Sequence, residues 1–282
     1  NVAEVAQRRG IPTLVRFFGV APAAEVLKQH GPADLLIGNN VLAHVPDLND
    51  FVAGMRDVLA PAGVITMEFP HLMRLMAENQ FDTIYHEHFS YFSFTTAERV
   101  FAAHGLTIFD VQELPTHGGS LRVFARHAGA TGAAARPVLP RVHELRGREL
   151  AQGVLDPETY RSFERRVHAT KRRLLGRLIA AKDAGKSIAG YGAPGKGNTL
   201  LNYCGIRTDL LDYTVDRSPH KQGKFLPGTR IPVFAPERLR ETRPDLVLIL
   251  PWNLKEEVMS QLSFVRGWGG RFVVPIPEVE VI

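Results

Sequence analysis

The stretch 187–203 restricts the fold of this chain more than any other. Ser187–Gly190 reads as a short apolar strand, Gly190-Tyr191-Gly192-Ala193-Pro194-Gly195-Lys196-Gly197 as a glycine-rich loop, and the residues to about Tyr203 as a helix. A strand that feeds a helix through Gly-x-Gly-x-x-Gly belongs to a parallel α/β sheet. Its helix N-terminus and bare glycine backbone suit a bound phosphate. Asp216 ends the next strand, Leu211–Val215, where such folds place a ribose-binding acid. Two readings stay open: a nucleotide site, or glycines demanded only by tight helix–strand packing.

The remainder alternates in the same way. Val2–Arg9 reads as a helix stopped by Gly10, Pro12–Phe18 as a strand, Ala21–His30 as a helix closed by Gly31, and Asp34–Asn39 as a strand. Asp47–Leu59 is an amphipathic helix with Asp47 at its start, and Pro61-Ala62-Gly63 turns into the strand Val64–Phe69. Thr95–His104 is a helix capped by Ser93, Thr95 or Thr96, followed by strands Leu106–Leu114 and Ser120–Arg126. The Ala-, Gly- and Pro-rich segment Gly129–Pro140 is the best domain boundary. Helices Arg141–Gly153 and Pro157–Ala184 follow. Phe163, Val167, Leu174, Leu178 and Ala181 give the longer one a single apolar face. Strands Pro244–Pro251 and Arg271–Ile276 flank a helix at Leu254–Val265. The expected fold is two α/β units, residues 1–128 and 186–282, joined by linker and helices at 129–185.

The chemistry concentrates at Phe81-Asp82-Thr83-Ile84-Tyr85-His86-Glu87-His88-Phe89-Ser90-Tyr91. Tyr85, His86, Glu87 and His88 are four consecutive proton-handling groups among aromatic residues, a setting in which burial and charge can bring a pKa toward neutrality. Histidine suits a general base near pH 7, oriented by a phenol or carboxylate. A metal reading remains open. In an extended stretch His86 and His88 would share a face, and His44, His71 or His117 could complete a ligand set.

Met67-Glu68-Phe69-Pro70-His71, Phe81–Tyr91 and Thr116-His117-Gly118-Gly119-Ser120-Leu121-Arg122 together resemble the core of the sugar-nucleotide C-methyltransferases, and the resemblance runs from Asn1 to about Val279. Asn39-Asn40-Val41-Leu42-Ala43-His44-Val45 and Leu59-Ala60-Pro61-Ala62-Gly63 resemble the fourth-strand motif and the following turn of a class I methyltransferase. The implied fold is a partial class I (Rossmann-like) sheet followed by a second nucleotide-binding-like domain. The implied reaction moves a methyl group from S-adenosylmethionine (SAM) to a carbon alpha to the ketone of a deoxysugar carried on thymidine diphosphate (TDP). His88 matches the family's base, Tyr85 and Glu87 its flanking pair, and His44 a second histidine beside the sugar. Asn39 and Asn40 fall at the cofactor. Glu68, His117, Gly118, Gly119, Ser120, Arg122, Gly192, Gly195, Lys196, Asn198, Asp216 and Lys221 fall at the sugar nucleotide. The SAM glycine loop and its ribose-binding acid have no counterpart here, so the cofactor site is expected to be incomplete. The family's zinc domain is likewise expected upstream of Asn1.

Composition narrows the alternatives. The chain is 282 residues with 45% hydrophobic and 22% charged residues, and no uninterrupted apolar stretch suits a membrane span. Cytoplasmic location and a monomeric state are the expectations. Cys204 is the single cysteine, which excludes an internal disulfide and a cysteine-rich zinc site. The net charge of +5 owes much to Arg136–Arg177, read as a solvated helix face because no nucleic-acid motif accompanies it. A nicotinamide-dependent oxidoreductase using Gly190, Gly192, Gly195 and Asp216 is the alternative function. A catalytically silent protein of two nucleotide folds is a third.

Overall fold

The computed structural model describes residues 2–282. In chain order the elements are α1 (Val2–Arg8), α2 (Val20–His30), β1 (Ala33–Asn39), α3 (Leu48–Val58), β2 (Leu59–Pro70), α4 (Leu72–Ala77), α5 (Phe94–Ala103), β3 (Leu106–Leu114), β4 (Ser120–His127), α6 (Pro140–Ala151) and α7 (Pro157–Asp183). Then come β5 (Ile188–Tyr191), α8 (Gly195–Cys204), β6 (Tyr213–Val215), β7 (Val233–Phe234), α9 (Arg238–Thr242), β8 (Leu246–Ile249), α10 (Lys255–Gln261), β9 (Arg271–Val274) and β10 (Glu280–Val281).

The chain packs as two compact units, and the division does not follow the sequence. The first holds 2–71, 89–115 and 119–151, whereas the second holds 72–88, 116–118 and 152–282. In the first unit the sheet order is β1-β2-β4-β3, with β1 and β2 parallel and the other two pairs antiparallel. Its core includes Ile65, Met67 and Phe69 of β2, Leu121 and Val123 of β4, and Phe94 and Phe101 of α5. Asp47 caps α3 by accepting from the Asp50 N–H, and Ser93 caps α5 by accepting from the Thr96 N–H, so short polar side chains set both helix starts. The Pro61-Ala62-Gly63 turn sits inside β2 as an irregularity, where the register with β1 jumps from Ala33↔Leu59 to Leu35↔Val64.

Residues 12–18 form no strand. Among the described residues the sheet ends at β1, and Val15 and Phe17 are 61% and 99% exposed. β-propensity expresses packing beside a neighbouring strand, and among the described residues no strand pairs with this segment; Phe18 instead packs edge-on against Phe51 with ring centroids 5.4 Å apart.

The second unit is a six-stranded sheet, β10-β9-β8-β5-β6-β7, parallel except for the edge strand β10. Its strands β5, β6 and β8 are buried along their whole length, as a sheet covered on both faces requires. α7 presents Val167, Leu174, Leu178 and Ala181 to this core, with Phe163 partly buried at its margin. Thr170 completes the stripe, and its hydroxyl receives a hydrogen bond from the buried Asn79 amide at 2.8 Å. Three of the α7 cations also serve within the unit or on α7 itself. Arg166 donates to the Met76 carbonyl, Lys171 to the Tyr203 carbonyl, and Arg165 pairs with Glu158.

Candidate active site

The Tyr85–His88 stretch belongs to the second unit through the turn that precedes it. After α4 the Gln80 N–H returns to the Leu75 carbonyl at 2.8 Å, and Phe81–Thr83 forms a single 3-10 turn. Phe81 enters the second unit's core and packs on Tyr203 with ring centroids 5.3 Å apart. Asp82 is fully buried and its Oδ2 accepts the Trp252 indole N–H at 2.7 Å. One apolar anchor and one polar anchor therefore fix the chain just before the reactive groups.

Tyr85–His88 then closes as a turn, with the His88 N–H donating to the Tyr85 carbonyl at 3.0 Å. The two rings stack 4.5 Å apart at 33°. His88 Nδ1 lies 2.8 Å from the Thr83 carbonyl oxygen. A carbonyl only accepts, so Nδ1 carries the proton and Nε2 is the basic nitrogen. Burial first, then the charges of Glu87 and Asp82, raise the Tyr85 phenol above its ordinary value and keep it protonated. His86 and Glu87 are exposed. The stretch is thus not extended, and the shared face that a His86–His88 metal pair needs does not form. Among the described residues no cluster of three or more His, Cys, Asp or Glu side chains could hold a metal ion.

The glycine-rich loop lies against this turn. A Cβ built on Gly195, the first residue of α8, would stand 3.8 Å from Tyr85 Cζ. The structure therefore brings together two motifs more than a hundred residues apart. The other glycines answer to packing: a Cβ on Gly190 would meet Thr214 Oγ1 at 2.7 Å, and one on Gly192, which has φ +88°, would meet Pro251 Cδ at 2.7 Å. Lys196 lies over the Trp252 ring, 4.4 Å from its centroid, and donates to the Asn253 side chain. Asn198 sits in the next turn of α8 with its Oδ1 buried and without a partner.

Asp216 is turned inward to its own loops. Its Oδ2 accepts the Ala193 N–H at 2.7 Å, its Oδ1 accepts the Ser218 N–H at 2.8 Å, and Lys221 Nζ is 3.2 Å away. Burial alone would raise this carboxyl, but the Ser218 and Ala193 amides and Lys221 hold it below the usual range. Beyond the carboxyl ends of β5, β6 and β7 lies a cavity of about 460 Å³ lined by Tyr191, Arg217, Gln222, Glu237, Arg240 and Phe264. The Arg240 guanidinium stacks 3.6 Å from the Phe264 centroid.

His117, Gly118 and Gly119 take φ values of 56°, 93° and 119°, so the two glycines are required by the turn itself. The close approach at Gly118 is made by Gln80 of the same unit, whose amide donates to the Gly118 carbonyl at 2.6 Å.

In the first unit, Asn39 is paired in register with Glu68 at the end of β1, and the Asn40 N–H donates to the Glu68 carbonyl at 2.8 Å. Glu68 is buried and its carboxylate accepts from Arg122 at 2.7 Å, across the β2–β4 pairing that also sets Ser120 against Pro70. His44 ends the short turn Leu42–His44, adjacent to Ala43, whose carbonyl accepts the Phe89 N–H. Sequence reasoning missed Glu149 and passed over His71 except as a candidate ligand. Glu149 is wholly buried, and its Oε1 lies 2.8 Å from His71 Nε2. It also receives the Phe94 N–H at 2.6 Å, the Thr95 N–H at 2.8 Å and the Thr95 hydroxyl at 2.7 Å. It closes the N-terminus of α5 and is a structural charge.

Residues 115–277, more than half of the chain, match the family model described as the C-methyltransferase C-terminal domain. The chain belongs to the C-methyltransferase family. Residues 4–111 match a second model, described as a methyltransferase domain. C-methyltransferase NovU of Streptomyces niveus is 42% identical over 285 aligned positions, covering 100% of this chain and 66% of that relative. This C-methyltransferase chain thus spans just under two thirds of the relative's length. Among solved structures, the Burkholderia thailandensis 1,6-didemethyltoxoflavin-N1-methyltransferase, with 1,6-didemethyltoxoflavin and S-adenosylhomocysteine bound, is 21% identical. It covers 45% of this chain and 56% of its own, at a TM-score of 0.31. M1.HpyAVI is 11% identical over 41% of this chain and 55% of its own, at a TM-score of 0.26. Family membership does not support the oxidoreductase alternative.

Proposed function

We propose that this chain carries the acceptor chemistry of a SAM-dependent C-methyltransferase whose substrate is a deoxysugar ketone linked to TDP. The observation that supports it most is the Tyr85–His88 turn, held with Nε2 of His88 as the basic nitrogen and with its phenol against Gly195. His88 Nε2 takes the proton alpha to the ketone. The protonated Tyr85 phenol donates to the oxygen that becomes enolate, and such a donor placed in advance of the charge stabilises the transition state. Burial, with the Glu87 and Asp82 charges adding to it, raises that phenol above its ordinary value.

SAM, when bound, would supply the methyl group for the enolate carbon, its S–CH3 bond breaking and S-adenosylhomocysteine leaving. In the first unit the groups suited to this cofactor are Asn39 and Asn40, at the carboxyl end of a parallel strand where such sheets bind ligands. No glycine-rich loop follows a strand among the described residues of that unit. Its fit to the cofactor is therefore partial, and weak SAM binding is expected of this chain alone. His44, Glu68, His117, Gly118, Gly119, Ser120 and Arg122 are proposed substrate residues on the family resemblance.

For the nucleotide, the cavity beyond β5–β7 offers Arg217 and Arg240 as cations for a diphosphate, with Tyr191 and Phe264 as apolar surface for a base. Lys196 and Lys221 are committed to Trp252, Asn253 and Asp216, and so contribute charge rather than direct contacts.

The test needs no methyl donor. The ketosugar nucleotide is incubated with the protein in deuterated water, and exchange at the alpha carbon is followed by NMR. Exchange faster than in buffer is expected. His88→Asn should slow it by roughly two to four powers of ten while nucleotide binding persists. Undiminished exchange in His88→Asn would remove His88 from the role of base.

A further inference from the structure

A buried glutamine joins the two histidine-bearing turns of the second unit, and the chemistry above gives it no part. The chain leaves α4 through Asn79, whose φ of 55° is left-handed, and the Gln80 N–H closes back on the Leu75 carbonyl at 2.8 Å. The reversal sends the two amides to different partners. Asn79 donates to the Thr170 hydroxyl of α7 at 2.8 Å. Gln80 donates to the Gly118 carbonyl at 2.6 Å and to a Glu78 carboxylate oxygen at 2.9 Å. Both of these oxygens only accept, so the amide nitrogen of Gln80 and not its oxygen faces them. The Gln80 carbonyl accepts the Thr83 hydroxyl at 2.8 Å, in the turn whose Thr83 carbonyl holds His88 Nδ1. The turn that receives the Gln80 amide is strained. His117 has φ 56°, and a residue with a side chain persists in that region only where its surroundings over-determine it. A Cβ built on Gly118 would stand 2.9 Å from the Gln80 amide nitrogen, so this backbone lies directly on the side chain.

We propose that Gln80 is a positioning residue for substrate binding: its amide holds the His117–Gly118 backbone, and through it the His117 imidazole, on the unit that carries His88. Gln80 is 3% exposed, so its amide is fixed by these bonds and not by solvent. The side chain acts on His117 and not on His88. Its link to His88 runs through the Gln80 carbonyl, which a side-chain substitution leaves in place. Loss of the amide therefore weakens binding and spares proton transfer. The effect on binding rests on the methyl-transfer reading, but the hold on the turn does not.

Gln80→Met has nearly the same length and no donor, so it removes both amide bonds. His117→Asn removes the imidazole with a residue that tolerates left-handed backbone. Wild type, the two variants and their combination are compared in the deuterium-exchange assay, with tryptophan emission and circular dichroism as checks on folding. Gln80→Met should raise KM about fivefold and keep the maximal exchange rate within about twofold of wild type. The combined variant should have the KM of His117→Asn alone, because Gln80 acts through His117. A packing role would lower the maximal rate, or add its loss to that of His117→Asn. An unchanged KM in natively folded Gln80→Met, or losses that add in the combined variant, would overturn the proposal. Should Gln80→Met not fold, wild type carries the test. Its Gln80 side-chain NH2 protons should exchange with water more slowly than those of the exposed Gln152 by about tenfold or more, and equal rates would overturn it. Backbone NMR keeps the two readings apart. In Gln80→Met the Gly118 carbonyl carbon and the His117 amide should shift, while the His88 ring nitrogens stay. Those shifts with no exchange in any form would uphold the hold on the turn and remove the methyl-transfer reading. Unshifted signals with normal exchange would remove the Gln80 proposal alone.

Discussion

Glu149→Gln tests how much of the first unit depends on one buried charge. Glu149 accepts four hydrogen bonds or equivalent contacts at 2.6–2.8 Å, two of them from backbone N–H groups at the start of α5. A helix N-terminus favours a negative charge, and these donors have no other acceptor once the carboxylate is removed. Glutamine keeps one acceptor oxygen and turns an NH2 toward the donors on the other side. Losing two charge-assisted bonds costs about 1.5–3 kcal/mol each, and rotation of the Thr95 hydroxyl to accept from the new NH2 recovers about 1 kcal/mol. The net expectation is a loss of about 3 kcal/mol at pH 7, or roughly two powers of ten in the opening equilibrium. Both tryptophans, Trp252 and Trp268, lie in the second unit, so indole fluorescence would miss this event. Amide hydrogen exchange at Phe94, Thr95 and the β3–β4 ladder reads it directly, with the second unit as internal control. The pH sign is also fixed. Burial would raise the Glu149 carboxyl, but the bonds from His71, Thr95 and Phe94 leave it below its ordinary 4.5. Its contribution is therefore complete above pH 4.5 and is lost as pH falls through the lower folded value, so wild type and variant should converge in acid. A loss under about 0.5 kcal/mol at neutral pH, against the expected several-fold larger cost, would refute the argument. So would a gap that does not narrow on acidification.

Two further outcomes follow from the second unit. Gly192→Ala should destabilise it by about 2–3 kcal/mol in urea titration followed by tryptophan fluorescence, because φ is positive and the Cβ collides with Pro251. Gly195→Ala should cost under about 1 kcal/mol, having ordinary room beside Tyr85. Asp216→Ala should cost about 2–4 kcal/mol by stranding the Ala193 and Ser218 amides, whereas Lys221→Ala, at a half-exposed pair, should cost less than about 1 kcal/mol. Equal losses in that second pair would mean that Asp216 does not pin the glycine loop.

The sequence by itself determined the parts of this protein that local physics controls. Alternating strands and helices gave the α/β class. Asp47 marked one helix start and the group Ser93, Thr95 and Thr96 another, because a capping side chain reaches only its own first turn; the structure selects Ser93 from the three. The α7 stripe was legible from its period, and β3 was read to the residue because apolar runs between glycines bound it. The Tyr85–His88 cluster was legible as chemistry, since four adjacent proton-handling groups stand out in any fold. Its shape was not. The turn exists because Phe81 and Asp82 are anchored on Tyr203 and Trp252, the latter 170 positions away from Asp82. Tertiary structure also decided that Asp216 faces its own loop, that Gly118 makes room for Gln80, and that Glu149 closes a helix 54 or more positions earlier. Residues 12–18 had the composition of a strand and formed none, because a strand needs a neighbour's hydrogen bonds and composition cannot supply one. Caps and periods are written within a few residues, but the partner of a buried charge is chosen by packing between segments that the sequence keeps far apart.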